Sequence, residues 1–340
     1  ELRHRDDGLN QAQIWLRLGE VHGALGEYGA AEDALQRTIG LASTTDRPVH
    51  GRANKLLGDL AASQERYEDA LRLYELAREA FRQNGQANPF VSITAEMGQC
   101  ALMQGRANLA EELCRQALDM ATKLQDKTLV GRVHRHMGQV LCRRARFVEA
   151  EEYLETSLEL FEAQKRDNEV VECLNELGYA AFAEGQYDRA REKFLRAVSL
   201  SVANHGKSHE SRVGLARALM AVENFEQSEA NLREALAQAS THRDLTKMAE
   251  LHVYLADVYF AQSKWQLARE ELAQVIEIAE SIGQFRYVIT ARMRLAYVMF
   301  QDGEDDQVYG YLGSALEQAQ QIGDSDAELQ IRSHLIYLQL

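Results

Sequence analysis

Proline is almost missing from this 340-residue sequence, which holds only 2. That scarcity argues against collagen-like, polyproline and turn-rich classes, and leaves helices free to run uninterrupted. Cysteine is scarce as well. The four present (Cys100, Cys114, Cys142 and Cys173) show no close pairing in sequence, which argues against a disulfide scaffold and fits a reducing, cytoplasmic setting. No run approaches the roughly 18 apolar residues of a membrane span. The opening Glu-Leu-Arg-His-Arg-Asp-Asp has no hydrophobic signal core and no initiator Met; a processed product, or a piece of something longer, is the expectation. Positive charge is outnumbered, with 38 Lys and Arg against 52 Asp and Glu and a formal net charge of −14. A net-acidic surface repels phosphate backbones, which argues against nucleic acid as the main partner, although one basic face can sit within an acidic total.

What remains is rich in Ala, Leu, Glu, Gln and Arg, a mixture that favours helix. The segment LGEVHGALGEYGAAEDAL, starting at Leu18, recurs in altered form along the chain. Aligned on Gly19, its equivalents are Gly58, Gly98, Gly138, Gly178, Ala216, Ala256 and Ala296, at spacings of 38 to 40 residues. Nine residues after this small anchor stand Tyr28, Tyr67, Phe147, Tyr187, Phe225 and Trp265, with Ala107 and Asp305 departing. Twelve after it stand Ala31, Ala70, Ala110, Ala150, Ala190 and Ala268, with Ser228 and Val308 departing. Sixteen after it come Leu35, Tyr74, Cys114, Leu154, Phe194, Leu232, Leu272 and Leu312. Nineteen after it the residue is mostly small, as at Ala77, Ala117, Ser157, Ala197, Ala235 and Ala315.

Apolar residues spaced three and four apart on each side of a short polar turn predict two amphipathic helices per unit. The small anchor and the small residue twelve later fall on opposite helices, letting their backbones approach. Asn88 before Pro89, and Asp46 before Pro48, read as helix N-caps with first-turn prolines. Asp126, Asp167, Asp244 and Asp324 are expected caps in comparable loops.

These columns, with the early Trp15, resemble the tetratricopeptide repeat family, in a variant with repeats of about 40 residues. The resemblance implies an all-α solenoid, an alpha-alpha superhelix of about eight helix hairpins plus a final helix. It is expected to form a single array over 1–340. The approximate repeats are 10–48, 49–88, 89–127, 128–167, 168–205, 206–244, 245–285 and 286–325, with a partial repeat at 326–340. The last helix ends on Leu335, Ile336, Leu338 and Leu340, where a terminal repeat would be expected to present a polar face. Self-association through it is therefore one expectation.

In this architecture the first helices line the concave side. Positions six and three before the anchor, and one, four and five after it, share one helical face. In the N-terminal half they select Arg52, Lys55, Ser92, Gln99, Arg132, Arg135, Gln139 and Arg143. In the C-terminal half they select Tyr179, Phe182, Met220, Phe260, Met293, Tyr297 and Phe300. A groove basic at the front and aromatic at the back would bind an extended peptide or helix carrying acidic and apolar side chains, since Arg and aromatics supply most interface hot spots. The same residues have a structural alternative: Phe182, Phe260 and Phe300 packing between repeats, and the arginines pairing with Glu of adjacent helices.

Catalytic signals are weak. Gly206-Lys207-Ser208 lacks the earlier Gly of a phosphate loop, since position 201 is Ser201. His134 and His136 are two apart and so face different ways; His205 and His209 have no third ligand nearby. The cysteines sit in columns of packed apolar side chains, with Cys142 facing the groove. Glu111-Glu112, Glu151-Glu152 and Glu270-Glu271 read as exposed acidic pairs. The sequence thus predicts a non-catalytic protein-interaction scaffold with no cofactor and no metal. The alternative is the sensor or regulatory arm of a larger signalling protein, such as a bacterial transcription activator or Ser/Thr kinase.

Overall fold

The computed structural model describes residues 2–42, 47–203 and 208–337. The expected cap Asp46, the loop residues His205, Gly206 and Lys207, and the terminal Leu338 and Leu340 lie outside these described residues. Among the described residues there are seventeen helices and no strand. Eight hairpins follow one another: α1 (Leu2–Ala24) with α2 (Tyr28–Leu41), α3 (Arg47–Ser63) with α4 (Tyr67–Gln83), α5 (Ala87–Met103) with α6 (Ala107–Leu124), α7 (Lys127–Arg143) with α8 (Phe147–Ala163), α9 (Asp167–Ala183) with α10 (Tyr187–Ala203), α11 (His209–Ala221) with α12 (Phe225–Thr241), α13 (Leu245–Ala261) with α14 (Trp265–Ser281), and α15 (Phe285–Asp302) with α16 (Asp305–Ile322). A final helix, α17 (Ser325–Tyr337), stands after them. Every second helix begins nine residues after the anchor. No helix among the described residues is long and apolar enough to cross a membrane.

The chain divides into two compact units, 1–176 and 177–340. In the first unit the hairpins close on their glycine anchors. A Cβ built on Gly138 would stand 2.5 Å from Leu154 Cγ and 3.3 Å from the Ala150 carbonyl oxygen, and one on Gly58 would stand 2.6 Å from the Tyr74 ring. The residue sixteen after the anchor therefore occupies the volume that the missing side chain leaves, and the small residue twelve after it lets the backbones come near. In the second unit Ala216, Ala256 and Ala296 take the anchor place and pack in the same buried layers as Leu232, Leu272 and Leu312.

Each hairpin turn holds one residue in the left-handed region, seven after the anchor: Gly26, Glu65, Gly105, Ala145, Gly185, Glu223, Ser263 and Gly303. The amide after it donates five residues back, as from Arg66 N to Ala61 O at 2.8 Å and from Arg146 N to Leu141 O at 2.9 Å. Those bonds satisfy orphan carbonyls at the first helix's end. The sequence reading missed this column.

The expected caps divide. Asp126, Asp244 and Asp324 accept from the backbone amides of Leu129, Lys247 and Ala327 at 3.0 to 3.1 Å. Asp167 is instead the first residue of α9, one place too late. Asn88 lies inside α5, whose N-cap is Gln86, and its amide donates to Asp126 at 2.9 Å. Pro48 and Pro89 both sit in first turns, where a missing N–H breaks no helical bond. Asn224, at the start of α12, is a cap that was not expected.

Candidate functional face on the first helices

Within each unit the first helices of neighbouring hairpins touch, α1 with α3, α5 with α7, α11 with α13 and α13 with α15. Side chains one after the anchor of one hairpin then meet those two or six before the anchor of the next. The expected basic front is built in this way, and its charges are largely paired. Arg52 donates to Glu20 at 2.8 Å, Lys55 to Asp59 at 2.5 Å, and Arg135 pairs with Glu172 at 3.1 Å. Gln139 donates to Glu176, and Arg132 to the Ser92 hydroxyl at 3.2 Å. Arg143 stands exposed. The face is thus mixed in charge rather than simply basic, because acids from adjacent helices share it.

Two details of this region go beyond the column pattern. Tyr74 donates to Asp59 at 2.8 Å, and burial pushes the Asp59 carboxyl above its ordinary range, with Lys55 opposing the shift. On α7 and α9, four buried polar atoms have no hydrogen-bond partner: His134 Nδ1, Arg135 Nε, Gln139 Oε1 and Asn175 Oδ1. The carboxylates of Glu172 and Glu176, which flank Asn175 on α9, are the ones that bond Arg135 and Gln139, so Arg135, Gln139 and Asn175 share one face. Asn175 falls three before its anchor, a column the sequence reading used in selecting Lys55 and Arg135, yet it was not singled out.

The aromatic residues lie in the second unit. Tyr179 meets Phe194 edge-on, with ring centroids 4.9 Å apart. Phe182 contacts Tyr187 at 5.2 Å and carries the Arg217 guanidinium 4.9 Å above its ring. Phe260 stacks on Tyr297 at 5.1 Å and meets Trp265 at 5.2 Å. Phe182 and Phe260 therefore pack between adjacent hairpins, while Tyr297 and Phe300 remain 53% and 40% exposed. Both of the latter line a mostly apolar cavity of about 430 Å³, together with Met293, Ala296, Leu312, Ser333 and His334.

Groups that elsewhere do chemistry are spent on packing. Burial pushes the Cys100 and Cys114 thiols up to about 12 and Cys173 up to about 11, which makes poor nucleophiles of them. Cys142 is half-buried against a core layer built from α3 to α8. His134 leans on Tyr153 of α8 with rings 5.3 Å apart, while His136 faces Gln99 of α5 at 3.2 Å. They point apart, as their spacing implies. Among the described residues no group of three His, Cys, Asp or Glu side chains is placed to hold a metal ion. Two acids depart from expectation: Glu271, whose side chain is mostly covered and pairs with His252 at 2.6 Å, and Glu111. Glu111 is buried, because Arg144 and Arg146 of the following hairpin reach over it at 2.5 and 3.3 Å, and Arg115 adds a bond at 2.7 Å.

Comparison with known proteins gives models described as tetratricopeptide repeat, matching residues 10–83, 90–163, 129–201 and 213–282. No protein of curated function matches the sequence. Among solved structures, the chain is similar to a signal transduction ATPase with numerous domains and a tetratricopeptide repeat sensor from Pyrococcus horikoshii, at 16% identity and a TM-score of 0.65, covering 95% of this chain and 49% of that one. It is similar to the Rap conjugation gene regulator of plasmid pLS20, solved with the Phr* peptide, at 15% identity and a TM-score of 0.62, covering 94% and 96% of the two chains. It is also similar to aspartyl phosphate phosphatase F from Bacillus subtilis, at 12% identity and a TM-score of 0.62, covering 85% and 75%. At such identities these likenesses carry the fold and nothing finer.

Proposed function

The chain belongs to the tetratricopeptide repeat family, and from that premise we propose a cytoplasmic, non-catalytic scaffold that binds an extended peptide or helix of a partner along its first-helix face. One observation carries the reading: Arg135 Nε, Gln139 Oε1 and Asn175 Oδ1 are buried on that face without partners. Buried polar atoms are nearly always hydrogen-bonded, and leaving one unmet costs about 1–3 kcal/mol. Once turned toward a bound chain, these side chains find amide donors for the two oxygens and a carbonyl for the nitrogen in a peptide main chain. Arg132 and Arg143, on the same columns of the first unit, supply donors for acidic side chains; in the second unit, taken by itself, the cavity beside Tyr297 and Phe300 suits an apolar side chain.

The test uses peptides selected from a random 12-residue display library against the whole chain. Arg132→Glu with Arg143→Glu should weaken the selected peptides strongly at low salt while the helical signal and melting midpoint stay close to the parent's. Selected peptides that bind the double variant as tightly as the parent would remove the first-unit face from the proposal.

A second reading makes the array a sensor arm of a larger signalling protein. The match spanning 95% of this chain and only 49% of a multidomain signalling ATPase supports it at the level of fold. A kinase, ATPase or DNA-binding segment in the same gene product would favour this reading over a free-standing scaffold.

A further inference from the structure

At two seams of the first unit an acid thirteen after one anchor meets an arginine eight after the next: Glu32 with Arg66, and Glu111 with Arg146 at 3.3 Å. The seam between the second and third hairpins keeps the arginine and lacks the acid. Arg106 stands eight after Gly98, but Leu71 takes the place of the glutamate. Arg106 is exposed and has no ion pair among the described residues.

A cavity of about 790 Å³ opens at this seam, with Leu71 and Arg106 in its wall. Two further groups of the wall lack a partner. Gln104, two before Arg106 in the hairpin turn, holds a buried Oε1 to which nothing donates. Glu68 stands one turn before Leu71 on α4, a neighbour on the same helix face, and it too is exposed without an ion pair. The other charges are spent, Arg72 on Asp69 and Arg78 on Glu75. Leu109 and Leu113 of α6 add an apolar floor.

A ligand that satisfies all three groups brings a carboxylate to Arg106, an N–H donor to the Gln104 oxygen and a positive charge to Glu68. It also carries an apolar part to cover the leucines. A carboxylate alone would meet Glu68 with like charge and leave the glutamine oxygen unbonded, which buried acceptors rarely are. An amine alone would leave Arg106 unmatched. A free α-amino acid holds both charges on one carbon, and its ammonium has protons for both acceptors.

We propose that this cavity binds a free α-amino acid with a large aliphatic side chain. The carboxylate lies on Arg106, the ammonium between Glu68 and Gln104, and the side chain along Leu71, Leu109 and Leu113. The site is formed mainly by the second helices α4 and α6, so it does not rest on the first-helix face proposed above for a peptide.

Calorimetric titration of the whole chain with L-leucine tests this, and a Kd of about 1 mM or tighter is expected. L-Leucinamide, which lacks the carboxylate, and 4-methylpentanoate, which lacks the ammonium, should each bind about tenfold more weakly or worse, the usual loss for a hydrogen bond to a charged group. In Leu71→Glu the new carboxylate takes the place that Glu32 and Glu111 hold at the other seams. Leucine binding should then vanish while hydrogen-exchange protection of α4 and α6 is kept or raised, which separates a blocked site from a misfolded one. Arg106→Gln, at an exposed position, should weaken leucine by about tenfold and leave leucinamide unchanged. No saturable binding up to roughly 10 mM leucine, 4-methylpentanoate binding as tightly as leucine, or unaltered binding in either variant would overturn the proposal.

Discussion

Replacing Glu111 by Gln should loosen the seam between the third and fourth hairpins by about 2 kcal/mol. Its side chain is 11% exposed and accepts from Arg115, Arg144 and Arg146, the last two on the following hairpin. Glutamine keeps the shape and one acceptor but removes the charge, leaving three guanidinium groups crowded around a neutral amide. Breaking a fully buried pair costs about 3–5 kcal/mol, and an exposed pair contributes about 0–1. The arginines are part-exposed, so water screens the remaining repulsion and the estimate falls between those limits. Glu32 holds the same column, thirteen after its anchor, and pairs with Arg66, but the two are 32% and 44% exposed. Glu32→Gln should therefore cost no more than about 1 kcal/mol, and 1 M salt should erase that loss while sparing most of the Glu111 effect. With two units present a single unfolding free energy is ill-defined, so the assay is native-state hydrogen exchange, read separately on amides of α6 to α8 and of α2 to α4. Equal losses at the two sites, or a neutral Glu111→Gln, would refute the assignment of the difference to burial.

Three further outcomes follow from the geometry. Ala145 sits at φ 56°, a region that costs a non-glycine residue about 1 kcal/mol, so Ala145→Gly should stabilise the α7–α8 hairpin by about 0.5 kcal/mol after its entropy cost, read by native-state hydrogen exchange on amides of α7 and α8. Asp126→Ala should lose about 1 kcal/mol of helix capping, measured by exchange at the first turn of α7. Burial, aided by Arg135, holds the His136 imidazole down to about 3, against about 6.5 in the unfolded chain. The unfolded state alone takes up a proton between those values, so the contribution is complete above pH 6.5 and is lost as pH falls toward 3. His136→Gln should flatten the fall in stability between pH 6 and 4 by roughly 1 kcal/mol per pH unit, and a slope that does not change would show that other groups set it.

How much of this was legible in sequence depended on where each constraint is written. The anchors and their partners sixteen later were readable because the constraint is volume, and volume shows in residue type: Gly138 with Leu154, Gly178 with Phe194. The left-handed turn column was not. Glu65, Ala145, Glu223 and Ser263 share it with four glycines, and a backbone angle leaves no common mark on such side chains. Caps were readable only to within the register of the loop; Asp126 is twelve before its anchor and works, while Asp167 is eleven before and Asn88 ten before. The candidate face was readable as a set of positions, because helical period alone assigns them. Its pairing was not, since Arg52 meeting Glu20, or Arg135 meeting Glu172, depends on the sideways offset between neighbouring helices. Glu111 misled for the same reason: within its own helix it reads as solvated, and only the next hairpin buries it.

That offset is itself held by charge. The residue thirteen after one anchor pairs with the residue eight after the next, as Glu32 with Arg66 and Glu111 with Arg146. Between the seventh and eighth hairpins the signs are exchanged, and Arg269 pairs with Glu304 at 3.1 Å. At these three seams position is retained while chemistry inverts; Leu71 with Arg106, Glu151 with Gln186 and Arg191 with Asn224 at the same register show that other seams do without the charge pair. Size matching works alike, Gly131 against Phe161 in one hairpin and Ile289 against Ala319 in another. A fold specified by such complementary pairs still leaves some first-helix positions, such as Arg143 and Phe300, exposed and free to vary. That freedom is why the array announces itself in sequence while its partner does not: the residues that would recognise a ligand are the ones the architecture does not constrain.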